Sequence, residues 1–163
     1  MKKSTEERFW SKVDKTGECW LWTALCNHDG YGRFKYEGKM VYSHRLAYEW
    51  VYCEIPEGAQ VDHRCHTRNC VRPEHLRLAT HAQNQQNRRG ANSDSATGIR
   101  GVGWHKQARK YYARVKLSGK MYSAGYFDTL EEAEAAVIAK RRELFTHDDY
   151  GDWATTTEEA PTP

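Results

Sequence analysis

The sequence has no apolar run approaching the roughly 20 residues of a membrane span, and its polar start, MKKSTEER, lacks the apolar stretch of a signal peptide. The expectation is a chain that makes no membrane contact and works in a reducing cytoplasm. Hydrophobic residues are also scarce, at 39% with a mean hydropathy of -0.93, so any core is thin. Small polar domains usually need staples. The five cysteines form no Cys-x-x-Cys pair, which excludes a thioredoxin-like redox motif. Their odd number, without a secretion signal, makes metal binding a better reading than a disulfide framework. Charge is missing locally too. The last seventeen residues hold Asp148, Asp149, Asp152, Glu158 and Glu159 but no Lys or Arg, so the net charge of +3 rises to +8 over residues 1–146. Such a body suits a polyanionic partner.

The residues that are present divide into short pieces. Ser4-Thr5-Glu6-Glu7 has the form of a capping box, and Phe9, Trp10 and Val13 come after it at helical spacing, which predicts a helix through about Val13. Cys19-Trp20-Leu21-Trp22-Thr23 reads as a strand, and the turn pairs Asp29-Gly30 and Glu37-Gly38 cut the next stretch of chain into a small antiparallel meander. Ser43 is a reasonable N-cap for a helix through about Tyr52.

Residues 61–89 break this pattern. Asp62-His63 is followed by Cys65, Cys70 and His75 at five-residue intervals, and then by Asn84. Of the eleven residues between His63 and His75, only Val71 is plainly apolar besides the two cysteines, so no hydrophobic core can hold this loop. Cys, Cys and His suit tetrahedral zinc. The bland alternative is free cysteines beside a surface histidine. Cys19, Cys26, Cys53 and His66 are the candidates for a fourth ligand, and Cys19 is favoured because it begins a strand that can pack beside the loop. Val61–His63 and His75–Leu78 read as paired strands, and Thr80 with Gln83 opens a helix to about Arg89. That arrangement predicts that Asp62 and Asn84, with Asn87 one turn beyond as the alternative amide, share an Mg2+ ion or another divalent cation beside a neutral His63. A base, a cation and positive charge are what phosphodiester hydrolysis needs. Arg33, Lys39, Arg45 and Arg88 are candidates for the phosphate-stabilising charge, with Arg45, beside His44, preferred.

The stretch DHRCHTRNCVRPEHL with a downstream Asn resembles the His-Me finger of HNH endonucleases, specifically the zinc-stapled subgroup found among phage and homing endonucleases. The CWLW, GYGRF and SHRLAYE segments resemble that subgroup's N-terminal part, so the likeness covers about residues 17–89. It implies that His63 activates water, that Asp62 and Asn84 hold a divalent metal, and that Cys65, Cys70, His75 and an upstream cysteine matching Cys19 hold structural zinc. One position departs from the pattern. Arg72 precedes Pro73 where the subgroup usually has a loop-bracing Asn, and Asn69 is the candidate substitute.

Residues 90–97 are small and polar and read as a linker. Between Asp94 and Asp128 lie seven Lys or Arg and no acid. Three strands are expected from Ile99 to Phe127, the middle one alternating Tyr111, Ala113, Val115 and Leu117 against Tyr112, Arg114 and Lys116. A capping box at Thr129-Leu130-Glu131-Glu132 opens a helix to about Phe145 that would cover the apolar face. A basic strand ribbon of this kind fits a DNA major groove. Residues 98–145 resemble the DNA-binding domain of plant ethylene-response factors in RGV, YFDTLEEA and the glycines. That likeness implies DNA contacts by Arg100, His105, Arg114 and Lys116, although Met121 and Ser123 stand where those domains use Arg and Trp.

The expected fold is α+β: a ββα-metal (His-Me finger) nuclease domain over 1–89, a linker over 90–97, a three-stranded antiparallel sheet packed on one helix over 98–146, and a disordered acidic tail over 147–163. The expected activity is metal-dependent cleavage of double-stranded DNA by a homing-type endonuclease, acting as a monomer or a homodimer. The alternative is a non-catalytic zinc-containing DNA-binding regulator.

Overall fold

A computed structural model describes residues 3–88 and 90–149, so Arg89 and most of the acidic tail lie outside the described residues. The chain divides into two compact units, Met1–His81 and Ala82–Pro163.

The first unit is held by aromatic rings rather than by aliphatic side chains. Helix α1 (Thr5–Trp10) starts at Ser4, whose hydroxyl accepts the Glu7 N–H while the Glu7 carboxylate accepts the Ser4 N–H, as the capping box requires. It ends at Trp10 and not at Val13. The Lys12 carbonyl accepts both the Thr23 N–H and the Thr23 hydroxyl at 2.9 Å, which draws β1 (Val13–Asp14) into an antiparallel pair with β2 (Leu21–Trp22). A second hairpin, β3 (Arg33–Tyr36) and β4 (Lys39–Tyr42), turns at Glu37 and Gly38. Both have positive φ (48° and 79°), the type I′ geometry that suits a two-residue hairpin. The expected meander is therefore two separate hairpins, because Asp29-Gly30 closes a turn between Cys26 and Gly32 instead of joining two longer strands. Helix α2 (Ser43–Val51) has Tyr42 as its N-cap, and Ser43 is its first helical residue. Beneath these elements Phe9 is fully buried, its ring centroid 4.9 Å from Trp22, 5.2 Å from Phe34 and 5.1 Å from Trp50. Leu46, Ala47 and Val71 complete the cluster.

The ββα part comes next in the chain. Strand β5 (Gln60–His63) pairs antiparallel with β6 (Leu76–Ala79), Asp62 standing opposite Arg77 and His63 opposite Leu76. A one-turn 3-10 helix at Pro73–His75 leads into β6, and α3 (His81–Gln86) comes after it. Tyr48, Ile55, Val61 and Leu76 form a second small core under this hairpin.

In the second unit, β7 (Val102–His105), β8 (Lys110–Leu117) and β9 (Lys120–Phe127) form one antiparallel sheet in that order. Helix α4 (Leu130–Leu144) begins with the Thr129/Glu132 capping box and buries Ala133 and Val137 against Val102, Ala113 and Val115. Gly101 (φ +85°) is required there, because a Cβ would collide with the Arg114 carbonyl. No helix among the described residues is long and apolar enough to cross a membrane.

Replacing Phe9 with Ala removes the ring on which the first unit's core converges, and should destabilise that unit by about 3–5 kcal/mol in urea denaturation.

Candidate metal centre and the histidine beside it

The loop between β5 and β6 is held to β2 by main-chain hydrogen bonds. Cys70 bridges to Leu21, the Trp22 N–H donates to the Asn69 carbonyl at 2.8 Å, and the Val71 N–H donates to the Trp20 carbonyl at 2.8 Å. Side chains add to this. Asn69 Nδ2 donates to the Trp22 carbonyl at 3.4 Å, and Arg72 Nη1 donates to the Glu18 carbonyl at 2.7 Å while its Nε donates to Glu74 at 3.2 Å. Arg72 thus ties the loop directly to the residue before Cys19.

This stitching brings Cys19, Cys65, Cys70 and His75 together, with all four donor atoms within 4.8 Å of one another. Cys19 Sγ and Cys70 Sγ each lie 3.6 Å from His75 Nδ1. Zinc–sulfur bonds of about 2.3 Å and zinc–nitrogen bonds of about 2.0–2.1 Å in a tetrahedron put those atoms about 3.6 Å apart, so the donor set fits zinc. Cys65, Cys70 and His75 are buried and Cys19 is half-buried. The three sulfurs conflict without a cation. The hydrogen bond between Cys70 and Cys65 holds the Cys65 thiol below its ordinary value and pushes Cys70 up, while burial and the Cys65 charge raise Cys19. A divalent cation that takes all three as thiolates removes that conflict. The result is a buried Cys3His cluster of structural zinc type.

His63 ends β5 and is buried next to this cluster. Its Nε2 lies 2.9 Å from the Cys70 carbonyl oxygen. A carbonyl only accepts, so Nε2 carries the proton and the neutral ring keeps Nδ1 as its basic atom. Burial lowers the His63 pKa, partly opposed by that carbonyl bond. The neutral form therefore prevails near pH 7.

Asp62 is buried beside it and is not free. Arg77, its register partner on β6, donates to Asp62 Oδ2 through Nε at 3.1 Å and Nη2 at 3.0 Å. Motif spacing alone passes over Arg77, although pairing His63 with Leu76 in a hairpin sets Asp62 opposite it. It also marks His44 only as a neighbour of Arg45. His44 lies in the first turn of α2 with its ring centroid 4.7 Å from that of His63, and it is 6% exposed. Burial, then the charges of His63 and Arg45, hold its pKa well below the usual imidazole value. Arg45 is half-buried on the same turn, and Asn84 is carried by α3.

In the second unit, Tyr112, Arg114 and Lys116 of β8 face away from α4, opposite Tyr126, Ser123 and Met121 of β9. The Arg114 guanidinium lies 4.6 Å from the centre of the Tyr112 ring, and the His105 ring is 5.5 Å from Tyr126. Arg100 is turned to a different task. Its Nη1 donates to the Gln86 and Arg88 carbonyls and its Nη2 to the Gln85 carbonyl, each at 2.9 Å, which caps the C-terminal end of α3.

Replacing Cys70 with Ser should release the metal and unfold the first unit, read as loss of protein-bound zinc together with loss of near-UV dichroism. A variant that kept both would remove zinc from the account of this loop.

Comparison with known proteins agrees with this geometry. Residues 41–86 match a family model described as HNH endonuclease, a span that ends before β7. Over 69 residues the chain is 39% identical to Protein 7.7 of Escherichia phage T7, a stretch covering 42% of this chain and 53% of that protein. The chain thus spans about half the length of that curated relative. No solved structure matches. The N-terminal region is thus similar to HNH endonucleases over residues 41–86 and to the phage T7 protein over 69 residues, and it brings Cys19, Cys65, Cys70 and His75 into a Cys3His cluster.

Proposed function

We propose that this chain is a metal-dependent DNA endonuclease of homing type that hydrolyses phosphodiester bonds in duplex DNA. The single observation that carries the reading is the bond from His63 Nε2 to the Cys70 carbonyl. It orients the ring and makes Nδ1 its basic atom, which suits the task of a general base toward an attacking water. Asp62, paired with Arg77 at 3.0 Å, supplies carboxylate oxygen for a divalent cation such as Mg2+. Such a cation, when bound, steadies charge on the phosphate and the leaving oxygen. Asn84 joins Asp62 as a ligand on the strength of its spacing and the family resemblance alone. Arg45 adds positive charge on the turn of α2 that bears His44. The Cys3His cluster takes zinc as a structural ion, since its four protein donors leave no open position for a substrate.

The same reading extends to the whole chain. Residues 1–89 are the nuclease domain, 90–97 the linker and 98–146 a domain like that of the ethylene-response factors. His105, Arg114 and Lys116 dock duplex DNA mainly through its phosphates, which supplies affinity without sequence information. Arg100 is left out of that surface because its guanidinium is engaged with α3. The setting is the cytoplasm, that of the host bacterium if the chain is phage-encoded. A non-catalytic zinc-containing DNA-binding regulator is the second reading, favoured by the commitment of Asp62 Oδ2 to Arg77.

Cleavage and binding can be tested apart. Supercoiled plasmid DNA with Mg2+ should be cut by the wild type, and His63→Ala at matched zinc content and dichroism should cut it about 10²–10⁴-fold more slowly. Failure of both proteins to cut DNA that both bind would favour the regulator. Replacing Arg114 and Lys116 together with Ala should lower the slope of log affinity against log salt by about 1.8, at about 0.9 per lost phosphate contact. An unchanged slope would remove the open sheet face as the docking surface.

A further inference from the structure

The nuclease histidine is one of four rings that meet in a cluster, with Tyr31, Tyr42 and His44. Tyr31 lies 5.5 Å from His44, 6.0 Å from His63 and 6.0 Å from Tyr42, and Tyr42 lies 5.6 Å from His44. Each tyrosine carries a guanidinium on its face: Arg33 is 4.4 Å from the centre of the Tyr42 ring, and Arg68 is 5.8 Å from that of Tyr31. The two arginines come from distant parts of the sequence, Arg33 from β3 and Arg68 from the loop between β5 and β6.

Neither guanidinium is neutralised. Arg33 Nη2 donates to the Met40 carbonyl and Arg68 Nη1 to the Asp29 carbonyl, both at 2.9 Å, and among the described residues neither makes an ion pair. Two of the acids near them in sequence are committed elsewhere. The Asp29 carboxylate lies 3.1 Å from His28 Nε2, and Asp62 pairs with Arg77 at 3.0 Å. His44, 6% exposed, makes no side-chain hydrogen bond among the described residues, and its Nδ1 is a buried atom without a partner. Two phenols, two imidazoles and two guanidiniums without an ion pair therefore meet in one cluster, in which the buried Nδ1 of His44 has no hydrogen bond. An arginine spread on an aromatic ring and tethered by one donor has lost most of its rotamer freedom beforehand. Its remaining N–H groups are set for phosphate oxygens.

We infer that Arg33 and Arg68, mounted on Tyr42 and Tyr31 around the His44–His63 pair, are a phosphate clamp that holds the DNA backbone at the nuclease site. The inference rests on the nuclease reading of His63 and extends it to two residues outside the metal-binding motif. Each arginine contributes one phosphate contact. Lysine lacks the planar fork but keeps the charge, so Lys replaces the electrostatic part of the clamp and not its geometry.

The test uses the full chain loaded with zinc, in buffer without Mg2+ so that binding is read apart from cutting. Binding of a fluorescent DNA duplex is titrated against KCl for the wild type, Arg33→Gln/Arg68→Gln and Arg33→Lys/Arg68→Lys. Gln preserves a donor for the Met40 and Asp29 carbonyls while removing the charge, so the fold should survive. The slope of log affinity against log salt should fall by about 1.8 in the Gln pair and return to the wild-type value in the Lys pair. An unchanged slope in the folded Gln pair overturns the clamp. The two readings fail separately. Wild-type cutting of plasmid DNA with no change of slope in the Gln pair removes the clamp and keeps the nuclease, whereas a fallen slope in the Gln pair of a protein whose wild type never cuts keeps the clamp and removes the nuclease.

Discussion

One residue joins the two parts of the first unit on which function depends. Cys70 contributes its sulfur to the Cys3His cluster and its carbonyl oxygen to His63 Nε2, 2.9 Å away. The loop that carries it has no hydrophobic core of its own, and Val71, next along, is the one side chain it sends into the aromatic cluster. The position of that carbonyl is therefore set by metal-type donors and by the stitching to β2. The tautomer of His63 is a consequence of it. A protein with few apolar residues thus relies on a metal-type donor set in place of packing to fix that ring.

The parts of this arrangement that could be read from the sequence are those encoded by local rules. The capping boxes at Ser4 and Thr129, the Glu37-Gly38 turn and the β5–loop–β6 hairpin each declare themselves within a few residues. The cysteine and histidine spacing, together with the lack of apolar residues around it, points to a metal loop. Long-range pairings are not legible in this way. Val13 continues the helical spacing of Phe9 and Trp10, but its pairing with Trp22 ends the helix early, and no local pattern specifies a two-residue strand. Arg72 reads in sequence as the loss of a loop-bracing residue. Its guanidinium reaches the Glu18 carbonyl, 54 positions away in sequence, and provides bracing of another kind together with Asn69.

Arginines are the hardest residues to assign from sequence because the same side chain serves unlike purposes. Arg100 sits in a run with seven basic residues and no acid, which reads as a nucleic-acid surface. In the fold its N–H donors meet three carbonyls at the end of α3, and burial, chiefly, lowers its pKa. Arg114 and Lys116, in the same run, stay on the open face because the alternation of β8 sends them there. The difference lies in backbone position: Arg100 precedes the sheet at a glycine turn, where alternation does not apply.

The neighbourhood of His63 works against stability, and that opposition argues for chemistry. A buried polar group without a partner costs about 1–3 kcal/mol, and a buried ion pair is often no more stabilising than apolar residues of similar volume. Against a total of about 5–15 kcal/mol for a domain, a core this thin offers little to offset such losses. Yet Asp62 with Arg77, His44 without a hydrogen bond and His63 are gathered on one hairpin and one helical turn, the acid and both imidazoles buried. Elsewhere in the unit, the Cys3His cluster and Ser43 apart, the buried side chains are rings and aliphatic groups. Departures from the rules of stable packing concentrate where a fold is built to do something other than persist. Here they concentrate around a single imidazole whose basic nitrogen is Nδ1.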